Sequence, residues 1–316
     1  MTIRLNKTPS KSPGESHLSH GISFSPIDKI TVAYCAWICI YMLLGWHRTV
    51  NPGHHFPVYL GILTMVFLFA WTEHRLRMYP DAPERLLKLI SFVRSIYPVA
   101  LFGYFFVSGF VFNRIIFQEW QDPFFYKIDI AMFGYYPSLV WGTTFTQPLV
   151  QDLFHFAYFC YYPMIAGLPI YLYFTNKEGF RETIFGLTFV FYLCYFIYSI
   201  LPVIGGRYFP EAMEFSRQST GYFFSDLMAF IYRTSTHLGG AFPSSHVAIT
   251  IVLTISALRH LRKVGILFCV IAFFLTIATV FCHYHWFIDS ICGLLTGIGG
   301  YYLALWVNQK LTKEIE

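Results

Sequence analysis

The chain has 316 residues, 56% of them hydrophobic and 21% aromatic, with only 12% charged and a formal net charge of +5. So few charges lie outside the composition of a soluble globular domain and leave the membrane as the main solvent. The positive balance does not point to nucleic acid, because the basic residues are distributed by loop.

Residues 1–28 are polar and rich in Ser, Pro, Gly and His, which predicts a disordered tail without a typical cleavable signal peptide. Eight apolar runs follow, at roughly 30–46, 56–72, 97–117, 150–174, 182–202, 243–259, 264–282 and 286–307. Alternation is absent inside them, so the expected class is all-α and polytopic rather than a β-barrel. Between the second and third runs, 73–96 reads as a cytoplasmic connector carrying an interfacial helix near 84–95. The loop 119–149 mixes aromatics with Gly and Pro and reads as re-entrant or interfacial, while the loop 203–242 carries an amphipathic piece near 222–236.

The basic residues sort by loop. With a cytoplasmic N-terminus, about 16 lie in inside segments, among them Arg75, Arg77, Arg94, Arg181 and Lys310, against about 5 outside, including Arg48, Arg207 and Arg233. That asymmetry predicts both termini in the cytoplasm. The seven cysteines, Cys35, Cys39, Cys160, Cys194, Cys269, Cys282 and Cys292, lie mostly in apolar spans with neither a CxxC pair nor zinc-like spacing, so they read as buried free thiols.

Three segments carry chemistry. Gly239-Gly240-Ala241-Phe242-Pro243-Ser244-Ser245-His246 precedes an apolar helix, whose N-terminus offers unpaired N–H groups to an anion. Ser244 and Ser245 can add hydroxyl donors, and His246 stands where it can protonate a leaving group. In His283-Tyr284-His285-Trp286-Phe287-Ile288-Asp289, Asp289 lies four residues after His285, so it can hydrogen-bond one ring nitrogen and fix the other as a nucleophile. His283 has no carboxylate at that spacing and is expected to support the site from behind. Where the span ending at Leu201-Pro202 turns, Arg207 is the natural phosphate clamp, and Tyr208 and Gly240 join it as expected substrate-binding residues. By the span count all three segments fall on one face, the outer one.

These segments resemble the three signature motifs of the type 2 phosphatidic acid phosphatase superfamily, whose members share a six-helix core; the resemblance covers roughly 97–307. Pro243-Ser244-Ser245-His246 is similar to the second motif, with Ser245 where Gly is usual; His285 and Asp289 match the third, and Arg207 the arginine of the first. The lysine of the first motif would fall at Ile200 and the arginine of the third at Thr279, so both cations are missing. That pattern, with Gly240-Ala241-Phe242-Pro243-Ser244 and the upstream Asp122-Pro123-Phe124-Phe125-Tyr126-Lys127-Ile128-Asp129, resembles the inositol phosphorylceramide synthase and sphingomyelin synthase branch.

The resemblance divides the chain into a tail (1–28), N-terminal helices with their connector (29–96), a catalytic domain (97–307) and a cytoplasmic tail (308–316). It implies a phosphatase or phosphotransferase acting on a lipid phosphate or phospholipid head group without a cofactor or metal. His285 would form a phosphohistidine and His246 would serve as acid and then base. The partners implied are a lipid in the bilayer and an alcohol head group or lipid hydroxyl as acceptor, with no nucleic acid. Two other readings are a metal-dependent hydrolase using His246, His283, His285 and Asp289, and a transporter or scaffold with a degenerate site. Asp152 and His155 form either a substrate contact or an ordinary helix-end pair, and Asp129 is expected just outside the site.

Overall fold

The structure is a computed structural model that describes residues 21–79, 81–209, 212–214, 221–234 and 238–314. Among these residues the regular structure is helical, apart from one isolated parallel bridge between Val203 and Gly240. Seven stretches are long and apolar enough to cross a membrane, and the eighth expected span is a shorter helix, Ser245–His260. The protein is thus an all-α chain with the helices of a multi-pass membrane protein.

Helix α1 (Pro26–Leu44) starts earlier than the polar composition suggests, because Ser25 and Asp28 form a capping box and Pro26 suits the first turn. The disordered tail expected over 1–28 is therefore corrected for 21–28; residues 1–20 lie outside the described residues. Helix α2 (Pro52–Met78) and helix α3 (Glu84–Ser108) form a pair joined by only a few residues. The separate interfacial helix near 84–95 is corrected as well, since it is the first half of α3. Burial of Arg94 explains the continuity. Its guanidinium donates to Asp28 (Nε to Oδ2, 2.8 Å) and to Glu73 (Nη1 to Oε2, 2.9 Å), tying α1, α2 and α3 together. A buried arginine survives only with such partners, so this one holds helices together instead of marking a solvated loop.

The loop expected over 119–149 contains helix α4 (Asp122–Phe133) and helix α5 (Pro137–Thr144), each with Pro in its first turn. Gly134, with φ 77°, ends α4. The run 150–174 is two helices, α6 (Pro148–Phe159) and α7 (Tyr161–Thr175), meeting at Cys160. Helix α8 (Lys177–Ile200) begins at the Asn176 cap and is buried along most of its length, packing on α1, α3 and α7. The amphipathic piece appears as helix α9 (Phe223–Thr234). Helices α10 (Ser245–His260), α11 (Arg262–Phe281) and α12 (Phe287–Lys313) complete the bundle.

Small residues draw α10 and α12 together. A Cβ on Gly293 would lie 2.5 Å from the Ser244 carbonyl oxygen, and one on Gly297 would lie 2.6 Å from that of Ala248. Backbones can approach this closely only where side chains are absent, which is how small residues drive helix association in lipid. The approach sets the start of α10 beside the start of α12, where the two histidine motifs lie. Of the seven cysteines, which are all free, five are buried, while Cys292 is half-buried and Cys269 is exposed, a correction to the buried reading.

Candidate active site

A cavity of about 110 Å³ opens where the loop after α8 meets the starts of α10 and α12, and Arg207, Gly240, Ala241, His246, Tyr284 and His285 line it. Backbone hydrogen bonds hold the three loops. The Ala241 N–H donates to the Val203 carbonyl (2.9 Å), joining the first motif to the second. The Ser244 N–H donates to the Asp289 carbonyl (3.0 Å), joining the second to the third.

Two carboxylates on α4 complete the frame. Asp122, only 4% exposed, accepts from the N–H groups of Ile204 (2.9 Å) and Gly205 (2.8 Å) and from the indole Nε1 of Trp286 (2.8 Å). It therefore ties the Arg207 loop to the His285 loop. Asp129 accepts from the N–H groups of Phe287 (2.7 Å) and Ile288 (3.0 Å), capping α12. Sequence reasoning anticipated a supporting role for Asp129 and missed Asp122. The signal was present, since a spacing of seven puts both on one helical face.

The His285 ring is buried, with Nδ1 turned toward Asp289 Oδ2 at 3.6 Å. This corrects the expected hydrogen bond: the two groups face each other, but Oδ2 already accepts the Trp286 N–H (3.0 Å). The His246 and His285 ring centroids are 6.3 Å apart. Three polar atoms here, His285 Nδ1, Asp289 Oδ1 and Arg207 Nη1, are buried without a hydrogen-bond partner among the described residues. Burial pushes the His285 imidazole down to about 4, partly offset by a hydrogen bond with the Ala241 backbone.

Arg207 is held over the Tyr232 ring, its guanidinium carbon 3.8 Å from the centroid, and faces Tyr284 at 5.7 Å. Tyr232 belongs to α9, so this helix forms one wall of the cavity. Asp152 anchors α9 by accepting from the N–H groups of Tyr222 (3.1 Å) and Ser225 (2.9 Å). His155 Nδ1 lies 2.7 Å from the Gln151 carbonyl and 3.3 Å from Ser225 Oγ. Neither Asp152 nor His155 lines the cavity, so the substrate-contact reading gives way to one in which they position α9.

Other expectations need correction. Ser244 is fully buried and caps α10 by accepting the Val247 N–H (3.4 Å), while the Ser245 N–H donates to the Tyr198 hydroxyl (3.2 Å). Two first-turn donors expected to face an anion are thus taken, and neither serine lines the cavity. His283, expected behind the site rather than in it, lies off the cavity: its Nδ1 donates to the Ser138 carbonyl, pinning the loop to α5, and burial lowers its pKa. The Tyr208 side chain lies outside the described residues. Thr279, in the place of the family arginine, is buried with its hydroxyl 2.7 Å from Ser290 Oγ. Among the described residues lining the cavity, Arg207 is the one permanent cation. No group of three or more His, Cys, Asp or Glu side chains able to hold a metal ion occurs among the described residues.

Gly205 offers a direct test of this frame. Its φ of 86° is left-handed, and a Cβ there would lie 2.5 Å from the Tyr284 carbonyl oxygen. Gly205→Ala is expected to displace the Arg207 loop and lower kcat/KM about tenfold or more, a loss of about 1.4 kcal/mol in transition-state binding. Kinetics on the purified variant check this, and a wild-type value would show that the loop tolerates the side chain.

Fold and site together define a multi-pass α-helical membrane protein that presents two histidines and an arginine to one cavity. The chain belongs to the PAP2 superfamily: the model of that family matches residues 124–303, more than half the chain. The matched region starts within α4 and ends within α12, so α1 to α3 lie before it. Membership supports a membrane enzyme of phosphatase or phosphotransferase type. No curated protein and no solved structure matches the chain.

Proposed function

We propose that the protein transfers a phosphoryl group from a lipid phosphate or phospholipid head group by double displacement through His285. The observation that carries this reading is the convergence of His246, His285 and Arg207 on one cavity, with Asp289 behind His285. The neutral His285 imidazole attacks phosphorus, the bond to the leaving oxygen breaks, and His246 supplies the proton that oxygen needs. In the second step His246 takes a proton from the acceptor, whose oxygen attacks the phosphohistidine and restores His285. Water as acceptor gives hydrolysis, and an alcohol head group or lipid hydroxyl gives transfer. Arg207 releases the Tyr232 face and clamps the equatorial oxygens, while Asp289 closes the few tenths of an ångström to His285 as the imidazolium forms.

The charge of the cavity favours a phosphodiester donor, as in the inositol phosphorylceramide synthase and sphingomyelin synthase branch. One guanidinium balances the single charge of a diester better than the nearly double charge of a monoester. Arg233, on α9, is exposed and does not line the cavity. The catalytic unit corresponds to 97–307, with both termini cytoplasmic and the site on the outer face, an orientation that rests on the basic-residue asymmetry.

Incubating the purified protein with labelled phospholipids and lipid phosphates, with and without inositol, ceramide or diacylglycerol, tests the proposal. Acid-labile, base-stable label on the protein, and product formed with one acceptor, are expected; neither product nor labelled protein with any donor would end it. The acid limb of kcat/KM gives a separate prediction. A nucleophile must be unprotonated, and burial depresses the His285 pKa, so protonation sets in below the usual histidine range. Activity is expected to persist through pH 6 and fall near pH 4, where the imidazole titrates at about 4. A limb near pH 6.5 would mean that another group controls it.

A further inference from the structure

A second cavity, of about 400 Å³, lies at the far end of the bundle from the first. It is bounded by the end of α2 (Glu73, Arg77), the start of α8 (Arg181, Ile184, Phe185) and the end of α12 (Asn308). Phe287 opens α12 beside the catalytic cavity, so the two cavities are separated by roughly 30 Å along this helix. Proposed catalysis does not use it.

The lining has the chemistry of a lipid site, polar at the bundle end and apolar along Ile184 and Phe185. The two carboxylates here are already engaged. Glu73 Oε1 accepts from Arg77 and from Ser91 Oγ (2.9 Å), and its Oε2 accepts from Arg94 (2.9 Å); Asp28 accepts from Arg94. Arg77, Arg94 and Arg181 against Asp28 and Glu73 leave one positive charge, three minus two. That charge sits on Arg181, which is exposed and has no ion-pair partner among the described residues. Among the described residues lining the cavity Glu73 is the one carboxylate, and it is engaged, whereas the Asn308 amide can meet a hydroxyl.

We propose that this cavity binds a phospholipid with a net negative, hydroxyl-bearing head group from the leaflet opposite the active site. Its phosphate pairs with Arg181, its hydroxyls meet Asn308, and its glycerol backbone covers the apolar floor at the buried Ile184 and Phe185. A zwitterionic lipid would bring an ammonium that finds no free anion, so the site discriminates by charge.

The test is lipid binding to the full chain in detergent, read by native mass spectrometry. An Arg207→Gln background weakens phosphate binding at the catalytic cavity and leaves the second one to report. Phosphatidylglycerol is expected to bind at least about tenfold more tightly than phosphatidylcholine, and Arg181→Gln to remove about tenfold of that affinity while Arg181→Lys retains most of it. Because Arg181 is exposed, these variants fold and the comparison stays clean. Equal binding of the two lipids, or unchanged binding in Arg181→Gln, would overturn the assignment. Displacement by soluble glycerol 3-phosphate at matched concentration would also overturn it, by reassigning the cavity to a free phosphate.

Discussion

His285→Ala is expected to lower turnover of the best lipid donor by about 10⁴-fold or more and to abolish labelling of the protein by the donor phosphate, because among the described residues no other buried imidazole faces both Asp289 and the cavity. His246→Ala should cost about 10² to 10⁴-fold, the range for one general acid, while leaving a donor with a good leaving group able to label His285. The contrast between the variants separates attack from proton transfer. Asp289→Asn should fall between them, since an amide still accepts the Trp286 N–H but no longer stabilises an imidazolium. Turnover within about tenfold of wild type in His285→Ala would remove the double-displacement reading while leaving family membership intact.

Asp122→Ala carries the second large effect. The carboxylate is buried and accepts three hydrogen bonds from two different loops. Removing it strands three donors, each costing about 1–3 kcal/mol, so a loss of about 3 kcal/mol or more in stability is expected. Activity should fall with it, because the Arg207 and His285 loops lose their shared anchor. Asp122→Asn keeps one oxygen for Gly205 and Trp286 and sacrifices the Ile204 bond, so a smaller loss, of about 1–2 kcal/mol, should follow. Unfolding midpoints in a fixed detergent, read beside kcat/KM, check both variants. An alanine variant as stable and active as wild type would show that water replaces the carboxylate.

The corrections have a common cause. Arg94 and Ser244 are polar residues in places where the sequence suggests solvent or substrate, yet each is spent on a protein partner. Residue type fixes what such a group can bond but not where its partner lies: Ser244 caps its own helix three residues on, whereas the partner comes from a distant segment for Arg94, 66 residues away at Asp28, and for His283, 145 away at Ser138. Asp122 was overlooked for the same reason: its partners lie 82, 83 and 164 residues away.

Local sequence alone determined the helical class, because long uncharged apolar runs can satisfy their backbone in lipid only as helices. It also determined the chemical identity of the site: a histidine, a second histidine with an aspartate four residues on, and an arginine after two glycines. Tertiary structure decided which of these groups share a cavity, that Tyr232 of α9 holds Arg207, and that His285 and Asp289 stand 3.6 Å apart. Such facts depend on how closely helices approach, as Gly293 and Gly297 permit between α10 and α12, and packing between distant segments is not encoded in any single stretch of chain.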